Sequence, residues 1–349
     1  METTATKLKF TAKQEDLLAL APLARIATKE PYQNIYTNGA VAWASNGILT
    51  IHTILDTTAS EGDCIAINAQ KLYNVIATSN GTITFDNGTI TAKGKKSKIN
   101  AISTEILPYK DIIGTDYEVN AKEFINQLKR TVYACQEGSN SILSGVLVDG
   151  TKLVAIDGHI LVCNSLTAQV LDDQIILPSK FVEELVKVFA TADTLTLTTD
   201  KGAVKVTDGV TTIISRLLEG QFPKYAKLIP AQSANIATID RLALLDALSF
   251  ADTMINIKTN IAKLNFTQGQ LEISTNSEDG ESNATIDIEY VGEDMLIAFN
   301  AQYLNKMLKS YTSSTVKISM NTNLSAVVIT DGVSEDVAII MPIQLSNRS

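Results

Sequence analysis

The chain has 349 residues, of which 45% are hydrophobic and 19% are charged, and its formal net charge is −9. These proportions are typical of a globular protein, and at roughly 100–200 residues per domain the length predicts two or three domains. The net charge by itself argues against a nucleic-acid-binding protein, because contacts to phosphate need Lys and Arg.

The sequence lacks the features of a membrane-anchored, secreted or zinc-stabilised protein. No run of residues approaches the ~18 consecutive apolar residues of a membrane-spanning helix. The N-terminus has no basic segment followed by an apolar one, so we expect a cytoplasmic location. The three cysteines, Cys64, Cys135 and Cys163, are far apart and form no Cys-x-x-Cys pair. This spacing argues against disulfides and a structural zinc site, and we expect neither a metal nor a cofactor.

Three segments in chain order begin with a short strand that runs into a helix. Their equivalent positions are Thr11, Asn120 and Thr238, at spacings of 109 and 118 residues. A second helix follows midway through each segment, beginning near residues 68, 178 and 300. Each second helix leads into a strictly alternating strand, which is typical of a half-buried strand. These strands are residues 82–85, 194–198 and 315–319.

This layout predicts three copies of one α+β unit, with two helices and several antiparallel strands in each. The predicted domains are residues 1–115 (N-terminal), 116–232 (middle) and 233–349 (C-terminal). Their net charges are +1, −3 and −7. Such a gradient suits head-to-tail self-association. Lysines on the polar faces of the helices could still give an acidic protein one basic surface.

Three stretches are more specific than this pattern. Residues 141–161 include Asp157-Gly158-His159, residues 215–230 include Phe222-Pro223, and residues 340–345 read Ile-Met-Pro-Ile-Gln-Leu. Each alone can be explained as a turn or an edge strand. Together, in this order and on a threefold repeat, they resemble the bacterial sliding clamp, the beta subunit of DNA polymerase III. The resemblance covers essentially the whole chain.

The resemblance implies the DNA clamp fold and a non-enzymatic role in replication. Two subunits would form a head-to-tail ring dimer of six similar domains, with helices lining the hole and sheets forming the outer wall. The ring would encircle duplex DNA without sequence preference and confer processivity on a replicative polymerase. Expected protein partners are a second copy, the DNA polymerase III alpha subunit, the clamp loader and repair proteins, which dock by short peptides.

The resemblance places the partner-peptide groove between the second and third domains. The residues that it assigns to the groove are Leu143, Ile156, Gly158, His159, Ile160, Leu161, Pro223, Lys227, Leu228, Asn300, Tyr303, Leu324, Ala326, Ile340, Met341, Pro342, Ile343 and Leu345. An apolar groove with a few polar anchors is what capture of a peptide requires.

Two further sets of residues are expected from the same resemblance. The DNA-facing candidates are Lys29, Lys71, Lys122, Lys129, Arg130, Lys187, Lys306 and Lys309. The dimer-interface candidates are Lys95, Lys96, Lys98, Ile99, Thr253, Met254, Glu278, Asp279 and Glu281. Opposite charges at the two edges would favour the correct pairing.

The sequence departs from the family pattern at six positions. Ser141 and Ile142 stand where the family has two adjacent aromatic residues that touch DNA, so we expect that contact to be lost. Ile160 and Gln344 stand where the family has arginine, and Thr259 replaces an aromatic residue of the groove. Thr253 replaces an apolar interface residue, which would weaken the contact between subunits. These changes predict a different preferred peptide and indicate a divergent clamp, of the kind that a phage or plasmid could carry.

Two other functions are considered. An enzyme has little support, because His52 and His159 are the only histidines and residues 88–96 match a phosphate-binding loop poorly. We therefore expect no catalytic residues. The second alternative is a clamp-like adaptor that recruits partners without sliding on DNA, which the net charge of −9 motivates.

Overall fold

A computed structural model of the protein describes residues 8–102, 111–138, 141–231 and 233–345. The same order of elements recurs three times along the chain: a strand, a first helix, three strands, another strand, a second helix and three more strands. Short additional strands are inserted in the first and third repeats. Among the described residues, no helix is long and apolar enough to cross a membrane.

The first repeat contains ten strands and three short helices. They are β1 (Leu8–Lys13), α1 (Gln14–Leu17), α2 (Ala21–Ile26), β2 (Asn34–Thr37), β3 (Val41–Ser45), β4 (Leu49–Ile54), β5 (Thr58–Gly62), β6 (Ile65–Asn68), α3 (Ala69–Ala77), β7 (Thr82–Asp86), β8 (Thr89–Ala92), β9 (Lys95–Lys98) and β10 (Ala101–Ile102).

The second repeat contains eight strands and two α-helices. They are β11 (Thr115–Asn120), α4 (Ala121–Thr131), β12 (Gly145–Asp149), β13 (Lys152–Ile156), β14 (Ile160–Ser165), β15 (Ile175–Pro178), α5 (Ser179–Val188), β16 (Thr194–Thr199), β17 (Ala203–Thr207) and β18 (Thr211–Arg216).

The third repeat contains nine strands and two α-helices. They are β19 (Asn235–Asp240), α6 (Arg241–Ala251), β20 (Ile261–Thr267), β21 (Gln270–Ser277), β22 (Gly280–Asp287), β23 (Glu289–Val291), β24 (Met295–Asn300), α7 (Ala301–Ser310), β25 (Thr315–Met320), β26 (Val327–Thr330) and β27 (Val337–Ile340).

Four of the helices, α3, α4, α6 and α7, begin after a strand whose last residue acts as an N-cap. The side chains of Asn68, Asp240 and Asn300 accept hydrogen bonds from backbone N–H groups in the first turns of α3, α6 and α7. Asn120 does the same for the N–H of Glu123 in α4, at 2.9 Å. Such a cap satisfies donors that the helix itself cannot. The capping residues therefore fix equivalent helix starts in different repeats.

The chain packs into two compact units, which divide it within α4 and α5. Unit 1 takes the described residues as far as Ile125 together with Glu183–Leu217. It contains a five-stranded sheet with the order β5-β1-β7-β8-β9 and a nine-stranded sheet with the order β10-β6-β2-β3-β4-β18-β17-β16-β11. The second sheet joins strands of the first two repeats through the antiparallel pair β4–β18.

Unit 2 takes the described residues of Asn126–Val182 and of the chain from Leu218 onward. It contains a nine-stranded sheet with the order β15-β12-β13-β14-β27-β26-β25-β19-β23 and a four-stranded sheet with the order β22-β21-β20-β24. The larger sheet joins strands of the second and third repeats through the antiparallel pair β14–β27, in which Ile160 lies opposite Ile340. The seams β4–β18 and β14–β27 are therefore built by equivalent strands.

A buried ion pair reinforces unit 2 where these two repeats meet. The Arg130 guanidinium lies 2.7 Å from the carboxylate of Asp336, whose side chain is 2% exposed. Arg130 Nε also donates to the carbonyl of Ser310 at 2.7 Å, and Asp336 Oδ1 accepts from the backbone N–H of Ser165 at 2.8 Å. The guanidinium lies over the ring of Tyr311, 5.5 Å from its centroid. The charges are paired and hydrogen-bonded, as charges inside a protein must be.

Replacing Arg130 should strongly destabilise unit 2. Arg130→Met leaves the buried carboxylate of Asp336 without a counter-charge, so we expect the free energy of unfolding to fall by about 3–5 kcal/mol. Glu335→Ala is the control, because Glu335 pairs with Lys152 from a side chain that is 82% exposed. Its loss should have a far smaller effect than that of Arg130, because solvent screens an exposed ion pair. Urea denaturation measures both, and equal effects would contradict this assignment.

Candidate functional site

The turn between β13 and β14 presents His159 at the start of the seam strand β14. Asp157 Oδ1 accepts hydrogen bonds from the backbone N–H groups of His159 and Ile160 at 2.7 and 2.8 Å. Gly158 has a φ of 98°, a conformation that residues with a Cβ rarely adopt. The Asp157-Gly158-His159 motif singled out in the sequence therefore forms a tight turn, and the side chain of His159 is exposed in it.

The C-terminal segment continues from β27 along the same seam. The backbone N–H of Met341 donates to the carbonyl of His159 at 2.8 Å, and that of Ile343 donates to the carbonyl of Ala298 in β24 at 2.7 Å. Pro342, which has no N–H, stands between these two donors. The segment is thus held at both ends while Met341 remains 42% exposed.

Helix α7 supplies an aromatic side chain to this surface. Asn300 Oδ1 caps the helix by accepting from the N–H groups of Gln302 and Tyr303 at 3.0 and 3.4 Å. The ring of Tyr303 stacks with that of His159, with centroids 6.2 Å apart and planes inclined by 24°. Burial, a hydrogen bond with Asp157 and the negative charge of Asp157 raise the pKa of Tyr303 to about 12. Tyr303 therefore remains a neutral hydrogen-bonding group at ordinary pH.

The segment that follows β18 forms another side of the surface. Phe222 is buried in the core of unit 2, and the Tyr225 hydroxyl donates to Asp149 Oδ2 at 2.9 Å. Burial and this carboxylate raise the pKa of Tyr225. These two anchors hold a short helical turn whose last residue, Leu228, is 51% exposed. Across the sheet, Leu324 is 54% exposed in the turn before β26.

We call this apolar region the seam surface, because it follows the β14–β27 seam of unit 2. Its exposed or half-exposed members are Leu143, His159, Pro223, Lys227, Leu228, Asn300, Tyr303, Leu324, Ala326, Met341, Pro342, Ile343 and Leu345. Buried side chains beneath it, including Ile156 and Leu161, belong to one hydrophobic cluster against which Leu143 and Ala326 pack. The surface therefore rests on a rigid apolar core.

Four residues assigned to the groove from the sequence do not form part of its surface. Ile156, Ile160, Leu161 and Ile340 are 7%, 2%, 3% and 0% exposed. Ile160 and Ile340 lie opposite each other in the β14–β27 pair. The expectation that these four side chains contact a peptide is wrong, because they are buried within unit 2.

The lysines expected to face DNA are mostly free to bind an anion. Lys29, Lys71, Lys122, Lys129 and Lys309 are exposed. The other two carry acidic neighbours. Lys187 lies 3.0 Å from Glu184, and Lys306 lies 4.0 Å from Glu137.

The expectation for Arg130 is wrong. Its side chain is only 14% exposed and is engaged by Asp336 and by the carbonyl of Ser310. A guanidinium that is already paired and enclosed cannot also hold a phosphate without breaking that network. The amphipathic pattern of α4 could not reveal this pairing, because Asp336 lies 206 positions further along the chain.

In the part of the chain that the structure describes, the two edges expected to form a dimer interface are edge strands of their sheets. β9 ends the five-stranded sheet of unit 1, and its Lys95, Lys96 and Lys98 are exposed. β22 ends the four-stranded sheet of unit 2, and Glu281 lies near its start. An unpaired strand edge is a template for another strand. The expectation for the Ile99 side chain is wrong, because it is 8% exposed and packs within unit 1.

A cavity of about 430 Å³ lies beside β22, between this strand and the end of α6. Its lining includes Phe250, Thr253, Ala284 and Ile286. Phe250 is 58% exposed, and Met254 close by is 36% exposed. The Thr253 hydroxyl donates to the carbonyl of Phe250 at 2.8 Å, so this polar replacement is satisfied within its own chain.

Comparison with known proteins identifies the family. The model of the DNA polymerase III beta subunit, central domain, matches residues 118–224, and that of its C-terminal domain matches residues 226–344. The chain belongs to the DNA polymerase III beta subunit family. The beta sliding clamp of Synechococcus elongatus is 24% identical over 97% of this chain and 100% of its own length, and that of Haemophilus influenzae is 27% identical over 83% and 84%.

Solved structures of sliding clamps share the fold of the whole chain. The clamp of Pseudomonas aeruginosa bound to griselimycin has a TM-score of 0.88 at 23% identity, covering 97% of this chain and 100% of that one. The clamp of Bartonella birtlesii bound to griselimycin has a TM-score of 0.89 at 19% identity, with the same coverage. The clamp fold expected from the sequence is thus confirmed.

The sequence did not reveal the polar supports of the seam surface. Asp149 braces Tyr225 from the turn between β12 and β13, and Asp157 both shapes its own turn and holds Tyr303. Acidic residues in turns are common, so they carry no signal of these distant contacts. Only the Asp-Gly dipeptide at Asp157 was recognisable as part of a motif.

The Asp157 carboxylate should account for part of the raised pKa of Tyr303. In Asp157→Asn we expect this pKa to fall from about 12 towards its usual value near 10, because the negative charge is lost. Asn should preserve the turn, since Asn46 Oδ1 accepts two N–H groups in the equivalent turn of unit 1, each at 3.0 Å. NMR titration of labelled tyrosine measures the change.

Asp331→Asn is the matched control for this titration, because Asp331 also shapes a turn in unit 2. The pKa of Tyr303 should be unchanged there. An unchanged pKa in Asp157→Asn as well would mean that burial and the charge of Glu137 raise it without Asp157.

Proposed function

We propose that two copies of this chain close into a head-to-tail ring that encircles duplex DNA and tethers a replicative polymerase to it. The family to which the chain belongs is a non-enzymatic processivity factor. The observation that carries the proposal is the strand pairing between repeats. Two seams join consecutive repeats within the chain, and the strands that would form a third seam lie at sheet edges. Residues 1–115, 116–232 and 233–349 would be the three domains, and the ring would work in the cytoplasm.

Each seam joins equivalent strands of consecutive repeats. β4 of the first repeat pairs with β18 of the second, and β14 of the second pairs with β27 of the third. The equivalent strand of the third repeat is β22, and the equivalent partner strand of the first repeat is β9. Both are edges in the described part of the chain. A second copy would supply a partner strand to each, so that all strands equivalent to the seam strands would be paired.

The pairing within the repeats also gives the register of the proposed closing seam. Positions in the last three strands of each repeat can be matched by following the strand pairing from the residues opposite the ends of β1, β11 and β19. In this match, Ile99 of the first repeat is equivalent to Ser215 of the second and Ile340 of the third. Following the pairing from the ends of β6, β15 and β24 in the same way makes Gly280 equivalent to the first residues of β4 and β14. In both internal seams, the residues equivalent to Gly280 lie opposite the residues equivalent to Ile99.

The same register would put Glu281 of one copy directly opposite Lys98 of the other. The internal seam β14–β27 has apolar residues here, with Leu161 opposite Ile339. Opposite charges across antiparallel strands attract, and like charges repel. The closing seam would therefore be held by charge as well as by backbone hydrogen bonds, and it would reject the pairing of identical edges.

Reversing either charge should open the ring, and reversing both should restore it. We expect Lys98→Glu and Glu281→Lys each to raise the dissociation constant of the dimer by about tenfold or more, and the double variant to recover most of this loss. Light scattering over a dilution series measures the mass, which is twice 37.6 kDa for the dimer.

Lys93→Glu is the control for net charge. Lys93 is exposed in the same hairpin but lies in the turn before β9, outside the paired edge. It should leave the dimer unchanged. If the double variant is no better than the single ones, Glu281 and Lys98 do not face each other.

DNA would be held by a few lysines on helix surfaces. Lys122 and Lys129 are exposed on α4, seven positions apart and thus on one helical face. At the equivalent places of α6, counted from its cap, stand Leu242 and Ser249. The first helices of the second and third repeats therefore differ in basic charge at these positions. Sparse contacts to phosphate would bind without sequence preference and would still permit sliding.

Removing the α4 lysines should weaken DNA binding and its salt dependence together. Each lost phosphate contact should reduce the slope of log K against log[salt] by about 0.9. We expect Lys122→Ala with Lys129→Ala to reduce the slope by about 2 at most, as measured by fluorescence anisotropy with labelled duplex. Ser249→Ala on α6 is the control and should leave the slope unchanged. A lower affinity at constant slope would show that the lysines do not contact phosphate.

The seam surface would be the docking groove for partner peptides. It offers exposed apolar side chains at Leu228, Leu324 and Met341 around the polar groups of His159 and Tyr303. Such a mixture suits an extended apolar peptide. The clamp loader, the polymerase alpha subunit and repair proteins would compete for it. Gln344 and Thr259 would shift its preference away from that of the family.

A further inference from the structure

Ile257 is an exposed apolar residue that neither a seam nor the core accounts for. Its exposed fraction is 84%, in the loop that leads from α6 to β20. The exposed Lys258 follows it. Removing the side chain of an isoleucine from water is favourable, so an exposed isoleucine would be stabilised by an apolar partner.

The loop is held in one conformation by its own hydrogen bonds. The carbonyl of Asn256 accepts from the N–H groups of Thr259 and Asn260 at 3.1 and 2.8 Å. Asn256 Oδ1 accepts from the N–H of Lys258 at 3.0 Å, and Asn260 Nδ2 donates to the carbonyl of Ile257 at 2.9 Å. A fixed loop loses little entropy when it binds, which favours affinity.

The same loop is fastened to the helix that carries Tyr303. The carbonyl of Asn260 accepts from the N–H of Ala301 at 2.8 Å, and Asn260 Oδ1 accepts from Gln302 Nε2 at 3.2 Å. Both donors belong to the first turn of α7, next to the cap Asn300. The exposed Ile257 is therefore anchored directly beside one end of the seam surface.

We infer that Ile257 and Lys258 form a flanking subsite for the peptide that occupies the seam surface, and that the subsite takes an apolar residue next to an acidic one. The inference rests on the proposed docking function of that surface. Ile257 would cover the apolar side chain, and the ammonium of Lys258 would attract the carboxylate. The subsite would lengthen the recognised motif beyond the residues that contact His159 and Met341.

A second copy of the chain is the competing occupant, because Thr253 and Met254 lie close by in sequence near the cavity at β22. Two observations favour the peptide. The hydrogen bonds of the loop run to α7 rather than to α6 or β22, and Ile257 is not among the residues that line the cavity.

The test begins with random peptides displayed on phage and selected against the wild-type dimer. The strongest peptide is then synthesised in full and without its flanking residues, and fluorescence anisotropy measures the affinity of both forms. We expect Ile257→Ala to weaken the full peptide by about tenfold and the shortened peptide hardly at all. Lys258→Gln should weaken only the peptide that carries the acidic residue.

Val333→Ala is the matched control, since Val333 is 91% exposed elsewhere in unit 2. It should leave both affinities unchanged. Equal losses for the full and shortened peptides, or none for either, would overturn the subsite. So would a changed monomer–dimer equilibrium in Ile257→Ala, which would assign the residue to the closing seam. If Met341→Asp leaves the affinity of the shortened peptide unchanged, the seam surface is not the docking groove, and the proposed function fails first.

Discussion

Backbone hydrogen bonding between strands is the constraint on which the rest of the molecule depends. Buried N–H and C=O groups must be paired, and a strand at the edge of a sheet leaves a row of them open. The chain satisfies this requirement twice by joining consecutive repeats, through β4–β18 and β14–β27. Among the described residues, the strands equivalent to those of the seams, β9 and β22, lie at sheet edges with one neighbour each. The proposed ring is the arrangement in which those two edges also find partners.

The seams also explain where the candidate site lies. At β14–β27 the turn at Asp157 and the segment after Ile340 are brought together by strand pairing, although they are far apart in sequence. The side chains that point inward build the core, and those at the rim remain half-exposed. The proposed peptide site would thus be a by-product of joining two repeats. The space beside the turn distinguishes this seam from the seam of unit 1. A Cβ added at Gly47 in the equivalent turn of unit 1 would lie 3.1 Å from the ring of Tyr32, whereas one added at Gly158 would meet open space.

The sequence was sufficient for the fold class and for most element positions because both follow from local rules. Alternating apolar residues predicted the strands after the second helices, and second helices were predicted to begin near residues 68 and 300, where the structure has Asn68 and Asn300 as caps. The sequence could not show which side chains are buried or which residues pair across long separations. Arg130 has the pattern of an exposed basic residue but is buried against Asp336. Ile160 and Ile340 belong to the right motifs, yet their side chains point into the core.

The central claim is that the protein holds DNA by topology rather than by affinity. The proposed register of the closing seam would put Ser97 of one copy opposite Ser282 of the other, so Ser97→Cys with Ser282→Cys should form a disulfide across it. Rings would be assembled on a nicked circular duplex by lowering the salt concentration, then oxidised and washed at high salt. The account predicts that the locked rings stay on the circle and leave when a nuclease cuts it. Loss from the intact circle, or retention after cutting, would contradict it.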